Sequence, residues 1–189
     1  MERGVEDSNI LDKFAEEFCH IVDRYVKYIV VSGFVAISHG RKRTTEDIDM
    51  IIERMSFENF KRLHNELDLA GFECIQSSKV EDIFDYLNRK DSVRYVRKGG
   101  EFLPPEMEMK FVKDEIDEMQ MKTRRKFELT GLDIWFSSIE FNVAFKEELL
   151  KSDKDMQDAR HLRIIYRDEI DEGLIMNIKE KIKRLRLGK

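Results

Sequence analysis

Apolar positions along this chain recur with two different periods, and the switches between them divide it into helices and strands. The stretch "SNILDKFAEEFCHIVDRYV" carries apolar residues at Ile10, Leu11, Phe14, Phe18, Ile21 and Val22, the spacing of one helical face. "YIVVS" is a short continuous apolar run, which predicts a buried strand, and "FVAIS" after Gly33 begins a second helix. "EDIDMIIE" predicts a strand, and "SFENFKRLHNELDLAG" a helix capped by Ser56 and stopped at Gly71. "FECIQ" then reads as a strand, "VEDIFDYLNRK" as a helix and "SVRYVRKG" as an alternating strand. "PEMEMKFV" alternates strictly, with Met107, Met109 and Phe111 on one face and Glu106, Glu108 and Lys110 on the other. Glu115 to Arg125 fits a short helix or an insertion, and "RKFELTGLDIWFS" reads as two strands around Thr130-Gly131. From Ser138 onward the pattern is helical. The expectation is an α/β (α+β) fold, a mixed sheet flanked by helices. Residues 1–137 form the sheet domain and residues 138–189 a helical C-terminal segment packed on it.

Composition narrows the class. The 189 residues are 41% hydrophobic and 39% charged, which suits a soluble chain large enough to bury a core. A net charge of -5 argues against a generally basic nucleic-acid coat but leaves local patches open. Cys19 and Cys74 have no CxxC or Cys/His spacing, so a zinc site or disulfide framework is not expected. No apolar run approaches the roughly 18 residues of a membrane span. The acidic start "MERGVEDSN" is unlike a signal peptide, and a cytoplasmic location is expected.

The segment "VSGFVAISHGRKRTTEDIDMII", from Val31 to Ile52, concentrates the candidate chemistry. On a strand, Asp47 and Asp49 share one face while Ile48, Met50 and Ile52 take the other. Two carboxylates side by side repel unless a cation lies between them. A hard divalent ion such as Mg²⁺, with Mn²⁺ as the alternative, suits oxygen ligands and completes its shell with water and phosphate oxygens. A paired-aspartate site therefore points to phosphoryl or nucleotidyl transfer. Ser32-Gly33 lies between a strand and a helix, where small residues let backbone N–H groups approach a phosphate. Arg41, Lys42 and Arg43 add positive charge suited to a polyanion, and as readily form an ordinary exposed loop.

With those residues in place, the chain resembles the DNA polymerase beta-like nucleotidyltransferase superfamily. The shared pattern is a small-residue pair after an apolar residue, then Asp-apolar-Asp-apolar, here with thirteen residues between Gly33 and Asp47. "RTTEDID" and the later "KEELLKSDKDMQDARHL", Lys146 to Leu162, are similar to the small prokaryotic branch related to abortive-infection and toxin–antitoxin proteins. The resemblance implies a nucleotidyltransferase-like mixed sheet and Mg²⁺-dependent transfer of an NMP from an NTP to a hydroxyl of a tRNA, a protein or a small molecule. The alternative is a catalytically degenerate nucleotide-binding or toxin–antitoxin-like interaction protein. It implies Asp47, Asp49 and a third carboxylate on a later strand as catalytic residues and metal ligands. Ser32, Gly33, Arg41, Arg43 and Lys146 would bind the nucleotide. The chain departs in having Ser32 where a glycine is usual. The third carboxylate is expected at Glu108; a register placing Lys110 there instead would set a cation against the aspartates.

Other residues have plainer readings. Thr44 and Thr45 can fix the turn entering the strand through hydroxyl-to-backbone bonds, and His39 reads as packing or capping. Asp155 and Asp158 are expected to orient basic side chains, and Trp135 and Phe136 to pack in the core. The basic "KEKIKRLRLGK" at the C-terminus reads as a solvated helix end.

Overall fold

The computed structural model describes residues 7–42, 45, 47–99 and 105–188. Its elements follow the two periods: α1 (Asp7–Asp23), β1 (Tyr28–Val31), α2 (Gly33–Ser38), β2 (Asp47–Ile52), α3 (Phe57–Leu69), β3 (Phe72–Cys74), α4 (Val80–Asn88), β4 (Val93–Arg97) and β5 (Glu106–Phe111). After them come α5 (Glu115–Lys122), α6 (Ile139–Phe145), α7 (Asp153–Ile165) and α8 (Glu172–Ile182). Side-chain caps start several helices where the chain has short polar residues. Ser56 accepts from Asn59 N–H, Ser138 from Phe141 N–H, Ser152 from Asp155 N–H and Asp171 from Leu174 N–H.

Among the described residues the strands form one mixed sheet in the order β1-β2-β5-β4-β3. β2 and β5 run parallel at its centre, and the remaining neighbours are antiparallel. Because side chains alternate, one face of the central pair sends Ile48, Met50, Met107, Met109 and Phe111 into the main core with α1, α3 and α4. That apolar cluster is continuous from Phe14 to Ile182 and takes in α6 and α8. The opposite face changes character along β2. Ile51 is buried with Ile29 against Met121 of α5, whereas Asp47 is exposed and Asp49 half-buried. The charged end of this face is thus uncovered where the apolar end is not.

Two expectations change in detail. The segment 125–136 forms no regular strand pair. It makes isolated bridges, Arg125 to Phe136 and Phe136 to Val30, around a 3₁₀ turn at Glu128–Thr130 that closes on Gly131 in the left-handed region. Its only ladder is one residue deep, which leaves the turn geometry to dominate. The helix after Ser138 breaks into a π-helical turn at Lys146–Leu150 before α7 begins. No helix among the described residues is long and apolar enough to cross a membrane.

Candidate active site

Register across the central parallel pair settles which β5 side chain stands by the aspartates. Asp47 is paired with Glu106, Asp49 with Glu108 and Ile51 with Lys110. Glu108 therefore takes the position expected of the third carboxylate. Lys110 is one pair further along the same face, and its positive charge is still felt at Asp49. Burial pushes the Asp49 carboxyl above the usual aspartate range. Lys110 acts against that shift, Glu108 and Asp47 add to it, and the Ser32 hydroxyl opposes it by donating a hydrogen bond.

The Ser32 contact has a backbone cause. Ser32 sits at φ 67° and ψ -134°, a region that glycine occupies readily and a residue with a Cβ does not. Its hydroxyl does not cap α2, and its influence is felt at Asp49, whose carboxyl it helps to lower. Such strain costs on the order of 1–3 kcal/mol and persists where the surrounding structure over-determines it. Lys90 and Lys151 also have positive φ, but Lys151 lies in the ordinary left-handed region after a helical turn. Gly33 is buried as the first residue of α2, a helix of six residues. At the entry to β2, the Thr45 hydroxyl donates to the Asp47 carbonyl at 3.2 Å.

The expected basic ligands are placed differently. Lys146 is buried, and its ammonium donates to Asp158 Oδ2 at 2.9 Å and to Asp155 Oδ1 at 3.4 Å. Arg41 pairs through Nε with the same Asp158 and donates from Nη2 to Gln157 Oε1 at 2.9 Å. An ammonium removed from water needs a partner, and α7 supplies carboxylates for it. The Lys146 ammonium is thus already committed to two carboxylates of α7. With Arg41 it forms a buried charged junction between α7, the α6 end and the loop leading to Asp47. Arg43 lies outside the described residues, as does Thr44.

Arg94 is the site residue that the sequence pattern did not single out. It stands opposite Glu108 in the antiparallel β4–β5 pair. Its Nε and Nη2 donate to Glu108 Oε2 at 3.3 and 3.4 Å, and its Nε lies 3.8 Å from Glu106 Oε2. The available signal was a lone arginine on the polar face of "SVRYVRKG", with no means of knowing which strand it would pair with. His39 packs as expected: its Nδ1 lies 2.6 Å from the Val35 carbonyl, and its ring meets Phe127, Phe136 and Tyr166 edge-on. Trp135 is half-buried, with the Arg124 guanidinium 4.2 Å from its ring centre.

The donor set fits a hard divalent ion in kind. Asp47, Asp49 and Glu108 are oxygen donors on one face, and the Asp49 carboxylate is buried beside like charge that a cation would relieve. Among the described residues, no three acidic, histidine or cysteine side chains, Asp47, Asp49 and Glu108 included, come together closely enough to hold a metal ion by themselves. Mg²⁺ does not require such a trio, since one or two carboxylates with substrate phosphates suffice.

Neither a protein-family model nor a curated protein matches this sequence. Solved structures do match the fold. An antigenic nucleotidyltransferase-like protein from Paracoccidioides brasiliensis superposes with a TM-score of 0.55 at 12% identity, over 96% of this chain and 90% of that one. The antibiotic-resistance factor ANT(2'')-Ia, in a solution structure, gives 0.55 at 12% identity over 94% and 95% of the two chains. A crystal structure of ANT(2'')-Ia with adenylyl-2''-tobramycin gives 0.54 at 13% identity over 92% and 98%. At these identities the likeness is one of fold, and the fold of this chain is nucleotidyltransferase-like.

Proposed function

We propose that this protein is a Mg²⁺-dependent nucleotidyltransferase that moves an NMP from an NTP to a hydroxyl acceptor. The observation that carries the reading is the placement of Asp47, Asp49 and Glu108 on the uncovered end of one sheet face, beside the strained Ser32 turn. The nucleotidyltransferase-like fold supports it.

Asp47 and Asp49 would hold the ion, with Glu108 as a further ligand. The ion supplies charge neutralisation of the triphosphate and polarisation of the phosphoryl oxygens. Ser32 keeps the Asp49 carboxylate oriented through its hydroxyl, and the Ser32-Gly33 turn presents small residues to the phosphates. Glu108, across from Asp49, would take the proton of the attacking hydroxyl. The acceptor oxygen bonds to the α-phosphorus as the bond from that phosphorus to the bridging oxygen breaks. The electron pair leaves with pyrophosphate. The protein contributes position and charge, and no covalent intermediate is needed. The adenylylated tobramycin held by one structural neighbour favours a small-molecule hydroxyl over a tRNA end or a protein side chain. The basic loop from Arg41 would act by shaping the entry to Asp47, since Arg41 is itself held by Asp158.

A second reading has its own observation. Lys110 beside Asp49 and Arg94 on Glu108 already set cations against the carboxylates, an arrangement compatible with nucleotide binding without turnover. Calorimetry with each of the four NTPs and Mg²⁺, on wild type, Asp47→Asn and Asp49→Asn, tests the main reading. It expects Mg²⁺-dependent binding in wild type and its loss in both variants. Binding that survives both changes would reject it. Binding without pyrophosphate release across a panel of hydroxyl acceptors would favour the second.

A further inference from the structure

We propose that Arg94 is an exchangeable counter-ion, held by Glu108 until a divalent cation takes that carboxylate and then free to meet the triphosphate. The inference rests on the nucleotidyltransferase reading of the Asp47, Asp49 and Glu108 face and adds a residue to it.

The geometry of the pair favours exchange over a permanent lock. Two of the guanidinium nitrogens, Nε and Nη2, reach a single oxygen, Glu108 Oε2, at 3.3 and 3.4 Å, so the contact lacks the two-oxygen fork of the strongest arginine–carboxylate pairs. The Arg94 side chain is 49% exposed, and an ion pair so open to water contributes little to folding. Its main chain, by contrast, is fixed. The Arg94 N–H donates to Gln76 Oε1 at 2.8 Å, and its carbonyl accepts from Ile75 N–H at 2.9 Å. The side chain can therefore turn while the strand stays in place.

Charge then dictates the order of events. Both are cations drawn to one carboxylate, so an ion on either Glu108 oxygen weakens the attraction for the guanidinium, and Arg94 opposes the ion at Glu108. Once displaced from Glu108, with only the longer 3.8 Å contact to Glu106 remaining, a planar fork of donors stands beside a site that receives a polyanion, which is the chemistry in which arginine binds phosphate best. Lys110, buried more deeply along the same face and centred near Asp49, does not have that freedom of position. Arg94 thus opposes the empty metal-bound state and favours the state that also holds nucleotide.

Exchange has a signature that a merely structural arginine lacks: removing it moves two affinities in opposite directions. Titration of Mn²⁺ alone, followed by electron paramagnetic resonance, is compared between wild type and Arg94→Gln. Binding of α,β-methylene-ATP at saturating Mn²⁺ is then measured by calorimetry on both. Arg94→Gln is expected to bind Mn²⁺ alone about fivefold more tightly, the scale of one half-exposed ion pair. It is expected to bind the analogue at least about tenfold more weakly, for loss of a charge-assisted phosphate contact. Arg94→Lys, which keeps charge without the fork, should retain wild-type Mn²⁺ affinity yet still lose analogue affinity. Unchanged or weaker Mn²⁺ binding in Arg94→Gln, or undiminished analogue binding, would overturn the exchange. Absence of Asp49-dependent Mn²⁺ binding in wild type and Arg94→Gln alike would instead reject the underlying reading of the site.

Discussion

Asp49 of β2 and Glu108 of β5 face each other across the parallel centre of the sheet, with the Ser32 hydroxyl donating to the first and the Arg94 guanidinium to the second. Each carboxylate therefore already has one donor of its own. The energetic consequences differ, because burial weighs on the Asp49 carboxyl and its donor is neutral, whereas Glu108 has a charged and partly solvated partner.

Asp49→Asn should stabilise the protein while abolishing Mg²⁺-dependent nucleotide binding. Burial, outweighing Lys110, lifts the folded carboxyl above its unfolded value. A group with that shift costs nothing below the unfolded pKa; its cost grows as pH rises from there and is complete above the folded one. An asparagine carbonyl can still accept from Ser32 and carries no charge to bury. The rise in melting temperature should thus be largest at neutral pH, shrink as pH falls through the raised folded value and vanish below about 3.9, the ordinary aspartate value. Equal or lower melting temperature for the variant at pH 7 would contradict this account of the site.

Ser32→Gly should also raise stability and lower nucleotide affinity. The φ of 67° at Ser32 suits glycine, so relief of strain is worth about 1 kcal/mol in denaturant unfolding, less the greater freedom of the unfolded chain. The same change removes the hydroxyl that orients Asp49. A gain in stability with undiminished Mg²⁺·NTP affinity would show the strained conformation to be incidental.

Lys146→Met tests whether this lysine belongs to the fold or to a ligand. Its buried ammonium is held by Asp158 and Asp155, and removing one partner of such a cluster costs about 3–5 kcal/mol. The denaturation midpoint should fall sharply, and adding Asp158→Asn should recover part of the loss. A variant as stable as wild type but poor in NTP binding would restore Lys146 to the role of a phosphate ligand.

Glu147→Gln should loosen the junction of α7 and α8. Glu147 accepts from Arg163 Nε at 2.7 Å and from Lys179 Nζ at 2.6 Å. Burial pushes its carboxyl up, but those hydrogen bonds outweigh it and hold the value below the usual glutamate range. A carboxylate so depressed stabilises above its unfolded pKa, and that stability is lost as pH falls through the folded one. The variant should be about 2 kcal/mol less stable at pH 7, the scale of hydrogen bonds to a charged group. The gap should close below about pH 4, the ordinary glutamate range. A gap independent of pH would assign the effect to packing.

Residue pattern alone determined a good deal of this protein. Alternation in "EDIDMII" and "EMEMKF" assigns Asp47 and Asp49 to one face and the apolar residues to the core, because side-chain direction on a strand follows from local backbone geometry. The Ser56 cap and apolar periodicity place α3, and helical spacing from Ser138 onward places α6 and α7, for the same local reason. Tertiary structure alone decided how the faces meet. Glu108 rather than Lys110 stands opposite Asp49 because β2 and β5, far apart in the chain, pair in one register, and a shift by two would have exchanged them. Arg94 reaches Glu108 through a second strand pairing of the same kind. Lys146 and Arg41 are nucleotide-ligand candidates in the sequence, and only the packing of α7 shows Asp158 drawing both inward. A charge looks for its partner in space, and the sequence records only which charges are available.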